Sequence, residues 1–69
     1  MTDHTYKKIE IVGSSQESIQ GAIENAISRT VESVSNANWF EVSEIRGHID
    51  SGKIAHWQVA VKIGFRIDP

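Results

Sequence analysis

The chain reads as an α+β domain in the order β-α-β-β, with one helix laid across a three-stranded antiparallel sheet. Three observations predict this. The apolar period is two in the first segment, becomes three-and-four from Ser15 to about Ser35, and returns to two from Trp39 onward. A polar turn, Asp50-Ser51-Gly52-Lys53, divides the last stretch into two long strands. The helix between the first strand and the last two reverses the chain, so the hairpin's second strand goes between its partners, in the order 2-3-1.

The first strand is Thr5 to Val12, where Ile9 and Ile11 alternate with Lys8 and Glu10. Gly13-Ser14-Ser15 breaks it, and Ser14 followed by Glu17 has capping-box spacing, so the helix is expected to start there. Ile19, Ile23, Ala26, Ile27, Thr30, Val31 and Val34 then share one face, while Glu17, Gln20, Glu24 and Ser28 face solvent. Asn36-Ala37-Asn38 ends the helix, whose roughly 20 residues would span about 30 Å. The second strand, Trp39 to Ile49, changes apolar phase: Phe40 and Val42 are even, Ile45 and Ile49 odd. A bulge or sharp twist near Ser43-Glu44, or a change of buried face, is expected. The third strand, Ile54 to Ile67, is apolar at Trp57, Val59, Val61, Ile63 and Phe65, and the tail Asp68-Pro69 follows.

Composition narrows the function classes. The 69 residues, taken as a single domain over 1–69, are 39% hydrophobic and 23% charged, ordinary for a globular chain. There is no cysteine to staple the fold, and no apolar run approaches the ~18–20 residues of a membrane span. The N-terminus lacks a signal-peptide pattern, so a cytoplasmic address is expected. A net charge of −2 speaks against nucleic acid as a partner. Below about 70–80 residues one core rarely suffices without help, and strands of about 11 and 14 residues exceed the usual ~5–6. Oligomerisation is the leading expectation.

Few residues offer chemistry. Trp39 is expected on the outer sheet face with Glu41 and Ser43, and Gln58 lies on the same face of the third strand. An outward indole and an amide suit a flat heterocycle with a hydrogen-bonding edge. The spacing leaves open a plain subunit contact for Trp39. Arg46 and His48 share one face of the second strand, flanking Gly47. Arg46 offers a fork suited to phosphate, or else pairs with Glu44, and His48 stands next in line at that end. Lys7, Lys8, Lys62 and Arg66 form a small basic patch or a solvated face. Trp57 belongs to core or interface. His4, His48 and His56 are too scattered for a metal motif, and Glu41, Glu44, Asp50 and Asp68 are too sparse for a calcium loop. With no nucleophile motif and no paired acid and base, an enzyme is not expected.

Several stretches together resemble one known family, the dodecins: Tyr6-Lys7-Lys8-Ile9-Glu10-Ile11-Val12-Gly13-Ser14-Ser15, Trp39-Phe40-Glu41-Val42, Ile45-Arg46-Gly47-His48, Gln58-Val59, and Val61-Lys62-Ile63-Gly64-Phe65-Arg66. The resemblance spans nearly the whole chain. It implies a three-stranded sheet wrapped around one helix, twelve copies forming a hollow homododecamer, and flavins stacked in pairs between tryptophans of neighbouring subunits. Trp39 matches that tryptophan, Gln58 the glutamine on the isoalloxazine edge, and Arg46 an arginine of bacterial members favouring FMN over riboflavin. The implied role is flavin storage, buffering and photoprotection without turnover; some bacterial members also bind coenzyme A. The competing readings are a flavin-free, structural or metal-binding assembly of dodecin type and a small flavin-dependent oxidoreductase.

Overall fold

A computed structural model describes residues 3–67; Met1-Thr2 and the predicted tail Asp68-Pro69 lie outside the described residues. The element order is β1 (Thr5–Ser15), α1 (Ile19–Val31), β2 (Ala37–Asp50) and β3 (Lys53–Ile67). The strands form one antiparallel sheet in the order β1-β3-β2, the arrangement the reversing helix requires. Asp50 pairs with Lys53 across Ser51-Gly52, both with positive φ (53° and 75°), the backbone of a tight two-residue hairpin turn.

The helix differs from expectation at both ends. It has 13 residues and is about 20 Å long. Its N-cap is Ser18, whose Oγ accepts from Gly21 N at 2.9 Å, so the capping-box spacing of Ser14 and Glu17 is not used. Ser15 Oγ instead shapes the preceding turn, accepting from Glu17 N at 3.0 Å and Ser18 N at 3.3 Å. At the other end Ser33 N and Val34 N both donate to Thr30 O, which closes the helix after Val31.

Gly13 explains the longer β1. It does not break the strand; it is buried under α1, where a Cβ would collide with the carbonyl oxygen of Ala22. A strand glycine here permits backbone-to-backbone approach. The helix contact therefore centres on small residues, Ala22 and Ala26, with Ile19, Ile23 and Ile27 flanking them. Thr30, on the same stripe, is buried and satisfied by its bond to Ala26 O at 2.9 Å.

Alternation along the strands divides the sheet into two faces. The inner face carries Ile9, Ile11 and Gly13 of β1 opposite Ile63, Val61 and Val59 of β3. The last three are the largest fully buried side chains. Phe40 and Val42 fall in the same phase, and after a register shift between Val42 and Glu44 the odd residues Ile45 and Gly47 take it over. The bulge expected near Ser43 accounts for the change of phase. Trp57 lies on this face, half-buried against the core.

The helix packs on β1 and β3 and barely reaches β2, all of whose residues from Phe40 to Asp50 are exposed. The chain is elongated, 56 × 20 × 13 Å, with a radius of gyration of 14.5 Å against roughly 11 Å for a compact chain of this length. Phe40, Val42, Ile45, Ile49 and Ile54 are exposed along the hairpin. So much apolar surface on one small chain is the signature of a surface meant for a partner.

Candidate functional site

The outer face collects the polar residues singled out above. From one end to the other, its rows are Tyr6 and Arg66; Lys8, Gly64 and Trp39; Glu10, Lys62 and Glu41; Val12, Ala60 and Glu44; Ser14, Gln58 and Arg46; and His56 with His48. Lys7 pairs with Phe65 in the opposite phase, so the basic patch loses that member.

Trp39 is half-buried, and its position follows from Gly64, its partner on the central strand. Cε2, Cζ2 and Cη2 of the indole all crowd the space a Gly64 Cβ would take. The six-membered ring thus lies flat on bare backbone. Tyr6 meets it edge-on, with centroids 5.3 Å apart and planes at 71°. The indole Nε1 donates to Glu41 Oε2 at 3.1 Å, and Lys8 Nζ reaches the same oxygen at 3.3 Å. The bond from Trp39, then the bond from Lys8, lowers the Glu41 carboxyl from its ordinary value, outweighing the opposing effect of desolvation.

Gln58 is half-buried and directly opposite Arg46, which is exposed. Among the described residues Arg46 has no carboxylate or hydrogen-bond partner, so the pairing with Glu44 is not seen. In the next row His48 and His56 stack, centroids 5.2 Å apart and planes 11° from parallel. The sequence spacing had separated these two imidazoles; strand pairing brings them together.

The structure groups Gln58, Arg46 and His48 but does not bring Trp39 to them. Gly64 and Gln58, their β3 partners, are six residues apart, about 20 Å along the strand. One flat ring cannot touch Trp39 and Gln58 of the same chain. Sequence reasoning also passed over Gly64 and the Lys8–Glu41 pair. The Trp39-x-Glu41 spacing hinted at the second residue, but Gly64 and Lys8 lie on other strands.

Comparison with known proteins converges on one family. The sequence model described as "Dodecin" matches residues 5–68. The dodecin of Thermus thermophilus is 41% identical over 63 residues, 91% of each chain. The solved dodecin of Streptomyces davaonensis is 48% identical and superposes with a TM-score of 0.91, covering 99% of this chain and all of the other. The dodecin structure from Streptomyces coelicolor gives 42% identity and a TM-score of 0.93, covering all of this chain and 99% of the other.

Proposed function

This chain belongs to the dodecin family, and from that premise we propose that it stores and buffers flavin, binding FMN or riboflavin between subunits of a homododecamer without turning it over. The observation that carries the reading is the indole of Trp39 laid flat on Gly64 on the outer sheet face. A ring held this way is a ready platform for another ring, with little rotamer freedom left to lose on stacking.

The remaining residues fit the group. An isoalloxazine has donors and acceptors along one edge, and the Gln58 amide offers both. An FMN phosphate needs a cation, and Arg46 stands in the row of Gln58 with its guanidinium unpaired among the described residues. His48 is one row further out and joins the candidates for the phosphate end. The distance of about 20 Å between the Trp39 and Gln58 rows supports a site completed by a second copy: one subunit presents the indole, another the amide and arginine. The exposed apolar residues of the hairpin are the surface such an assembly would cover. Bound flavin supplies the light-absorbing ring; Trp39 contributes an electron-rich contact that quenches its excited state.

Titration of FMN into the purified protein, followed by absorption and flavin fluorescence, tests the proposal alongside native mass spectrometry. A yellow dodecamer that quenches FMN fluorescence is the expected result. A colourless assembly that leaves FMN fluorescence unchanged overturns it in favour of a flavin-free structural or metal-binding oligomer.

A further inference from the structure

Gly64 gives the Trp39 indole a floor and Tyr6 meets the ring edge-on, but neither holds its N–H. Glu41, two residues along β2 and on the same face, supplies a stop by accepting the indole N–H at 3.1 Å. The carboxylate is itself held from the far edge of the sheet. Lys8 of β1 extends across the central strand and places Nζ 3.3 Å from Glu41 Oε2 and 3.4 Å from Oε1.

We infer that Glu41 is the positioning residue of the stacking platform: latched by Lys8, its carboxylate sets the orientation of the Trp39 indole and draws on its N–H so that the ring becomes a stronger electron donor. The part that concerns flavin rests on the proposed function; the Glu41–Trp39 contact stands apart from it. The charged groups facing Glu41 are Lys8 of β1 and Lys62 of β3, which both favour its ionised form. Glu10 of β1 shares its row, but the Ser43 hydroxyl donates to that carboxylate at 2.7 Å. Glu41 therefore keeps its charge, and the indole its ionic acceptor, until the pH falls through the lowered value.

The test starts with ligand-free protein. In a Trp57→Phe background Trp39 is the only indole, and its emission is followed against pH. The expected profile has an acid transition below the ordinary carboxylate value. Glu41→Gln keeps the shape and an acceptor but cannot titrate, so it should lose that transition; Lys8→Met should move it upward. FMN titrations follow in the same variants, with native mass confirming the assembly. Glu41→Gln should bind FMN within about threefold but quench it less, and Glu41→Leu should bind roughly tenfold more weakly. An unchanged emission profile in Glu41→Gln overturns the inference, as does parental binding and quenching in Glu41→Leu. If the parent itself fails to bind FMN, the proposed function falls, and the emission profile alone decides the role of Glu41.

Discussion

Gly13 and Gly64 are both buried strand glycines, one on each face of the same sheet, and they do opposite jobs. Gly13 lies on the inner face against the carbonyl oxygen of Ala22, a backbone atom in the first turn of α1. Gly64 lies on the outer face against the indole of Trp39, a side chain able to swing away. Crowding the first site has no cheap relief, because the helix is held there by Ala22, Ala26 and the β3 valines. Crowding the second displaces one ring and leaves the backbone alone. The inner face thus carries the fold and the outer face the site, and substitutions can separate them.

The sharpest way to break that division is Gly13→Ala. It should cost on the order of 3 kcal/mol or more, since overpacking against backbone forces the helix off the sheet. Chemical denaturation of the variant would read this directly, and a loss under 1 kcal/mol would show that α1 can shift. The outer-face counterpart is Arg46→Ala. It should leave the unfolding curve unchanged and weaken FMN by about 1.5–3 kcal/mol, roughly ten- to a hundredfold, while riboflavin is spared. Equal losses for both ligands would make Arg46 structural and pass the phosphate role to His48, since Lys7 lies on the opposite face.

Gly64→Ala sharpens the comparison on one strand. The methyl group evicts the indole, and flavin affinity should fall by roughly 1–3 kcal/mol, the scale of a lost aromatic stack, with far-UV circular dichroism preserved. Should Gly64→Ala unfold the protein as Gly13→Ala does, the two faces would not be separable. The smallest effect belongs to neither glycine. Ser51 holds φ at 53° in the hairpin turn, a conformation asparagine tolerates better. Ser51→Asn should raise stability by about 0.5 kcal/mol, visible as a small upward shift in the thermal midpoint, and should leave FMN affinity where it was.

Much of the fold was legible in the chain because periodicity records which face of an element is wet. Ile9 and Ile11, then the Ile19-to-Thr30 stripe, then the odd residues of β3 lead to the observed elements and strand order. The phase change between Val42 and Ile45 located the bulge. The helix ends were misjudged for local reasons. Ser14 with Glu17 imitates a capping box, yet the chain stays extended through Ser15 because β1 goes on pairing with β3 as far as Trp57. Gly13 looks like a breaker to any local rule, and only the helix above it explains why a glycine is needed there.

By itself the sequence determined the alternation of apolar and polar residues, and with it the elements, their order, the side of the sheet that faces the helix, and the family resemblance that the comparisons bear out. Those properties are local or additive along the chain. Tertiary structure decided which distant residues meet. It laid Trp39 on Gly64, carried Lys8 across the central strand to Glu41, stacked His48 on His56, and left Trp39 about 20 Å from Gln58. Each depends on register between strands separated by a helix or a hairpin. Register is set by the summed packing of whole faces, so it cannot be read from any short stretch of residues.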